Sequence, residues 1–320
     1  MFSVRLPIPI VNSLTPPPKT TRSPSYSYSH YYPFHSHSQT QQLIVPKRGS
    51  ATAPPSVTLR DDGDSPHPLP AELVAELMPK HVAVIIDGHR RWAELRGLPP
   101  SAGYRAGVQS LRKVVSLCCS WGIEVLTVFL YSTENMLRPK VIHEEVDHFM
   151  WLVETTLNSA IDCMKKEEIR ISMIGDSSKL PKSLQRMITS AEESTKHNSR
   201  FQLIVAIAYG GKYEVVQACK SVAKKVKDGL LHLDSINEHV IEQELETNCT
   251  EFPYPDLLIR VDGELRISNF LLWQLAYTEL YFNEKSWPDF GKDEFVDRCL
   301  KIISAEIQTL WCITSMSILM

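Results

Sequence analysis

Apolar and polar positions along this chain follow two alternating rhythms. Short runs dense in Val, Ile, Leu and aromatic residues occupy 81–86, 123–131, 169–174, 201–207, 257–260 and 278–282. Their length and composition are those of buried strands. Between them, apolar residues recur at helical spacing. In 107–120, Val108, Leu111, Val114, Val115 and Cys118 keep one face apolar, and Gly122 marks the stop. In 144–166 the stripe is Val146, Phe149, Met150, Val153 and Leu157. Stretches 182–197, 213–227 and 236–246 follow the same rule, and the loop after 257–260 is expected to open one more helix. Strands of continuous apolar character separated by helices predict an α/β fold. It is a single domain of about 230 residues with a mostly parallel six-stranded sheet flanked by helices.

The first 60 residues break this pattern. Of these, 26 are Ser, Thr or Pro, interleaved with Tyr and His, and none is acidic. Such a segment cannot bury enough apolar surface to fold. A Ser-rich, basic, acid-free leader without a compact apolar core fits an organelle transit peptide. Plastid import is the expectation, with a mitochondrial presequence or a plain disordered tail as alternatives.

Charge narrows the function classes. The leader holds six of the 34 basic residues, which leaves 28 against 37 acidic ones in the remaining chain. A net-negative body has no broad basic face, so nucleic acid is not an expected partner and any bound anion must be held locally. The seven cysteines show no C-x-x-C spacing, which favours reduced thiols over zinc or disulfides. No run of 18 apolar residues exists to span a membrane.

Local anion chemistry is concentrated in 255–282. An apolar run delivers Arg260 to a Gly-containing loop that carries Arg266 and Ser268 and leads to Glu279. Two guanidinium forks, a hydroxyl and a helix start would cradle phosphate or diphosphate. Loop arginines paired with surface carboxylates are the equal alternative. The first strand runs into Asp87-Gly88-His89-Arg90-Arg91. There Asp87 offers a hard oxygen to Mg²⁺, Gly88 allows close backbone approach, and Arg91 can clamp an anion. Asp87 as a simple helix cap is the alternative. The second strand ends in Tyr131-Ser132-Thr133-Glu134-Asn135-Met136-Leu137-Arg138-Pro139, polar groups that by themselves read as a cap and loop. Tyr209-Gly210-Gly211-Lys212 is another strand-to-helix turn, without P-loop spacing. All these sites follow strands, and in open parallel sheets ligands gather at the strands' carboxyl ends.

Together the blocks resemble the cis-prenyltransferase family, the undecaprenyl and dehydrodolichyl diphosphate synthases. The resemblance covers roughly residues 78–300. It rests on 81–93, Gly103-Tyr-Arg-Ala-Gly107, Tyr131-Ser-Thr-Glu-Asn135, Tyr209-Gly-Gly211, 260–279 and Trp287-Pro-Asp-Phe290, and with the leader it is nearest to plastid-targeted plant members. It implies an undecaprenyl diphosphate synthase-like fold with an apolar tunnel between the sheet and helices 107–120 and 144–166. It implies a Mg²⁺-dependent homodimer that adds isopentenyl diphosphate to an allylic diphosphate, farnesyl or geranylgeranyl, with new cis double bonds. Membrane contact would be peripheral, through the polyprenyl product, and a medium-length product is expected over a two-unit neryl one. The domain layout becomes 1–60 transit peptide, 61–75 linker, 76–302 catalytic domain and 303–320 atypical tail.

Residue by residue, the resemblance gives Asp87 to catalysis, the metal and the allylic diphosphate, with Gly88 and Arg91 as binding partners. Arg260, Arg266 and Ser268 would hold isopentenyl diphosphate. Glu279 matches a second metal-site acid. Ser132 and Asn135 match loop residues for substrate placement and proton removal, with Asn135 catalytic, and Arg138 matches a diphosphate-contacting arginine.

The chain also departs from the family pattern. His89 replaces an Asn, Tyr104 a His, Pro100 an Arg and Met136 a Trp, and extra residues fall around 141–143. Val261-Asp262 stands where Thr-Gly is usual, and an unpaired Asp262 would oppose diphosphate. The end of the chain lacks the family's basic Arg-x-Gly element. These departures keep a second reading open, a catalytically weak or inactive homologue that scaffolds a prenyltransferase complex. A third, a metal-dependent phosphate-ester hydrolase, would want further acids at strand ends, where only Asp256 precedes a strand.

Overall fold

A computed structural model of the chain describes residues 67–137 and 143–299. The expected leader (1–60), the first part of the linker, Arg138 and the 303–320 tail lie outside the described residues.

Six strands form one sheet: β1 (His81–Ile85), β2 (Val125–Ser132), β3 (Ile169–Ile174), β4 (Phe201–Tyr209), β5 (Leu257–Arg260) and β6 (Glu279–Phe282). Their order is β3-β4-β2-β1-β5-β6 and every pairing is parallel. The continuous apolar strands are the ones covered on both sides: β1, β4 and β5 are buried at every position. Along β1 the pleat sends Val82 and Val84 into one core and Ala83 and Ile85 into the other. The larger core is closed by α2 (Pro100–Ser120) through Val114 and Leu117, α3 (His143–Lys166) through Met150 and Leu157, and α4 (Lys182–Thr195) through Leu184 and Ile188. Each such side chain contributes about 1.5–3 kcal/mol by leaving water. The smaller core stacks Phe129 on Phe270 with ring centroids 4.5 Å apart.

The short helix α1 (His89–Glu94) follows β1, and α5 (Gly211–Lys227) follows β4. Helix α2 starts at Pro100, ahead of the expected 107. Gly103 and Gly107 hide this first turn from a periodicity argument, yet they let it press on α1. A Cβ on Gly103 would stand 2.0 Å from the His89 carbonyl oxygen.

Two expectations are corrected. The helix over 236–246 is only α6 (Glu238–Glu242), capped by Asn237 and followed by a 3-10 turn at Glu246–Cys249. Glu244 and Glu246 turn away to Ser221 and to the Gly175 amide instead of continuing a helical surface. No α-helix opens directly from the Arg260 loop either. Ser268, Asn269 and Leu271 have positive φ, and only a 3-10 turn at Gln274–Tyr277 forms. Burial of Phe270 and Leu271 and docking of Asn269 on α5 outweigh helix propensity there. The ordered body also reaches into the expected linker, because Leu73 is buried in the larger core. No described helix is long and apolar enough to cross a membrane.

Candidate active site

The carboxyl ends of β1, β2 and β5 lie side by side, since these strands are neighbours in register. Residues just past them surround a cavity of about 770 Å³, within the usual range for small-molecule sites. Asp87, Gly88, Arg91, Ser132, Asn135, Arg260, Arg266 and Ser268 all line it. Eight of the ten residues singled out from sequence therefore meet in one place.

Asp87 is held from two sides. Its Oδ1 accepts the Gly88 amide at 2.8 Å, and its Oδ2 accepts Arg260 Nη2 at 2.8 Å. Arg260 also donates to Ser268 Oγ at 3.3 Å, while its Nε is buried without a partner. Burial pushes the Arg260 pKa down, and the Asp87 charge opposes that. Gly88 caps α1 at φ +87°, where a Cβ would come 2.3 Å from Asp262 Oδ1. Glycine is required by both conformation and space.

Ser132 and Asn135 lock one another at the end of β2. The Ser132 amide and hydroxyl donate to Asn135 Oδ1 at 3.0 and 2.8 Å, and the Asn135 amide donates to Ser132 Oγ at 3.1 Å. The carboxamide oxygen is thus committed, which leaves its Nδ2 group as a donor for a ligand.

Every arginine of the cavity that was singled out already meets a carboxylate. Arg260 pairs with Asp87, Arg91 with Asp262 and Glu264, and Arg266 with Glu264. Asp262 is therefore paired, not loose beside the cradle.

Glu279 is not part of this cluster. It opens β6 opposite Leu257, which is itself level with Val82, while Asp87 lies five residues after Val82, beyond the end of β1. That is about 16 Å along the sheet, so within one chain Glu279 and Asp87 do not share an ion. Asp256 is also at the far end, where it accepts the Lys80 and His81 amides. The hydrolase reading loses its one candidate acid. Among the described residues no group of three or more His, Cys, Asp or Glu is arranged to hold a metal. Asp87, with its side chain 44% exposed, lines the cavity together with the carboxylates of Glu94 and Glu134.

Several cavity residues escaped the list of candidates. Glu134 takes Asn269 Nδ2 at 2.7 Å; burial raises its pKa, but this bond and those from its own amide, Thr133 and Ser132 bring it below the usual value. Asn269 in turn accepts the Lys212 amide at 2.9 Å, so the start of α5 is capped by protein. His89 is pushed down to about 4 by burial against the pull of Asp87, and its ring lies 5.5 Å from that of Tyr104. The sequence signal was present for His89 and Tyr104, as departures from the family pattern. For Asn269 there was none, since its contact is with a turn 57 residues away.

The family model described as undecaprenyl diphosphate synthase matches residues 85–305. Dehydrodolichyl diphosphate synthase 2 of Arabidopsis thaliana is 59% identical over 229 residues, covering 72% of this chain and 73% of that protein. Cis-prenyltransferase 4, chloroplastic, of Solanum lycopersicum is 58% identical over 229 residues, with the same 72% and 73% covered. Lavandulyl diphosphate synthase from Lavandula x intermedia, solved in complex with dimethylallyl diphosphate, matches with a TM-score of 0.68 at 43% identity, over 71% of this chain and 96% of that one.

Proposed function

The chain belongs to the undecaprenyl diphosphate synthase family, the cis-prenyltransferases, and we propose that it joins isopentenyl diphosphate to an allylic diphosphate, farnesyl or geranylgeranyl, in a Mg²⁺-dependent reaction. The observation that carries this reading is the convergence of Asp87, Arg91, Arg260 and Arg266 on one cavity with an apolar side. In the reaction the allylic C–O bond breaks and diphosphate leaves. The isopentenyl double bond then supplies the electrons for the new C–C bond, and a proton lost from that unit restores a double bond, here cis.

The chain's own residues divide the work. Arg91 and the Gly88 amide region receive the allylic diphosphate, and the forks of Arg260 and Arg266 with Ser268 Oγ receive the isopentenyl diphosphate. The donor left on Asn135, steadied by Ser132, fixes the isopentenyl unit beside the reacting carbon. Departing diphosphate would take up that proton. Mg²⁺ suits a site where a protein carboxylate and a substrate diphosphate would meet, because it binds through few carboxylates together with waters and phosphate oxygens. When bound it neutralises charge on the leaving group. Asp87 would hold it there, and the orphaned Arg260 Nε marks a donor still waiting for an anion.

Ile86, Leu130, Val146 and Phe149 form the apolar side of the cavity, where the growing chain would lie in the tunnel between the sheet, α2 and α3. Glu279 can serve a metal only through a second copy, in the homodimer we include in this proposal. Plastid residence is supported by the composition of 1–60 and by the name of the tomato relative.

One observation favours the second reading, a weak or inactive scaffold subunit: the three singled-out arginines that line the cavity already have carboxylate partners. Incubating the full chain with farnesyl and isopentenyl diphosphates and Mg²⁺ separates the two. Prenyl product above an Asp87→Ala control supports the enzyme; product at the level of that control leaves the scaffold.

A further inference from the structure

Asp262 follows β5 in the left-handed region at φ +71°, a conformation that costs a non-glycine residue about 1 kcal/mol or more. Its side chain is only 6% exposed. Ser286 Oγ donates to its Oδ1 at 2.6 Å, and its other oxygen pairs with Arg91. The carboxylate is packed against the backbone of Gly88, since a Cβ there would stand 2.3 Å from Oδ1. Arg91 lines the cavity, whereas Asp262 is outside its lining. The carboxylate therefore draws the guanidinium from behind. The same Arg91 nitrogen meets Glu264 at 3.3 Å, so two carboxylates share one fork.

We propose that Asp262 sets the affinity of this site for diphosphate: it is an internal counter-anion that ties Arg91 back, so that diphosphate binds more weakly than the arginine set would allow. The inference rests on the prenyl-transfer reading of the cavity. A buried carboxylate beside the site is poorly screened by solvent, so its hold on the Arg91 cation is strong. Asp262 is not needed to keep Arg91 at the cavity wall, because Glu264 holds the same nitrogen. Burial raises the Asp262 pKa while Ser286 and Arg91 oppose the rise, which fits a charge held in place at some cost.

The test is titration calorimetry of inorganic diphosphate into the full chain, with and without Mg²⁺, for wild type, Asp262→Asn and Asp262→Gly. Asparagine keeps the size and an acceptor for Ser286; glycine also relieves the backbone. Both variants are expected to bind about tenfold more tightly, the effect of one modest charge interaction. The gain is expected to vanish in an Arg91→Ala background, a coupling that a general loosening of the fold would not produce. Equal or weaker binding by both variants overturns the inference and leaves the diphosphate site standing. Absence of binding by wild type and both variants overturns the inference together with the prenyl-transfer reading.

Discussion

Arg260 reaches Asp87 across 2.8 Å from a side chain that is 4% exposed, while the carboxylate is 44% exposed. The pair is thus lopsided: the cation is sunk into the sheet and the anion faces the cavity. Removing the anion leaves a buried guanidinium without its main partner, which is costly. Arg260→Lys keeps the charge but not the fork that spans Asp87 and Ser268. We expect kcat/KM for isopentenyl diphosphate to fall on the order of 100-fold in Arg260→Lys, with KM rising more than kcat falls. Steady-state kinetics with the thermal midpoint measured in parallel checks this. A loss of activity matched by unfolding would speak against a substrate role.

Gly88 tests the packing behind that pair. Its φ of +87° and the 2.3 Å approach of a Cβ to Asp262 Oδ1 make Gly88→Ala strained twice over. The expected loss is about 2–4 kcal/mol of stability, from backbone strain plus overpacking. Asp262→Gly on the same chain removes one of the two clashing neighbours, and Ser286 Cβ at 2.7 Å remains. Partial recovery in the double variant is therefore expected, read as a non-additive denaturation midpoint. Strict additivity would show that the contact is not what limits Gly88.

Much of this arrangement is legible before any coordinates. Strand runs such as Ile169–Ile174 and Leu257–Arg260 coincide with the runs rich in Ile and Leu that the sequence shows. Asp87, Ser132 and Arg260 could be grouped as strand-end residues before their neighbours were known. What stayed hidden depends on contacts distant in sequence. The segment after Ser268 has a helical composition, yet Asn269 is spent on the start of α5 and Phe270 on the smaller core. Glu279 looks like a partner of Asp87 until strand register places it at the other end of the sheet. The pairing of Asp262 with Arg91 joins the loop after β5 to α1, 171 residues away, for which local patterning carries no signal.

His81 offers a stability probe away from the cavity. It is fully buried, its Nε2 lies 2.7 Å from Thr127 Oγ1, and burial pushes its pKa from 6.5 down to about 4. Above pH 6.5 folded and unfolded chains both carry it neutral. Between 6.5 and about 4 the unfolded chain takes up a proton that the folded one refuses, so stability falls as pH falls. The loss from this group should approach about 3 kcal/mol near pH 4. Urea midpoints measured from pH 7 to pH 4.5 should decline, and less steeply in His81→Asn. Identical slopes in the two proteins would show that His81 titrates freely.

Product length should depend on a row of rings that crosses the apolar side of the cavity. His89 faces Tyr104 with centroids 5.5 Å apart, Tyr104 faces Phe149 at 5.5 Å, and Phe149 faces Tyr131 at 5.6 Å. The row links α1, α2, α3 and β2, and all four side chains line the cavity. A chain growing from the diphosphate end toward the space between α2 and α3 meets these rings. Phe149, on α3, is an inner member of the row in contact with Tyr104 and Tyr131, so its removal opens a gap there. Phe149→Ala is expected to lengthen the product by one or more isoprene units. Some stability is lost too, about 3 kcal/mol or less for a half-buried ring. Tyr104→Phe, which keeps the ring and drops the hydroxyl, is expected to leave length unchanged. Chromatography of the dephosphorylated products from both variants reads the outcome. A product of wild-type length from Phe149→Ala would mean that the growing chain takes another path.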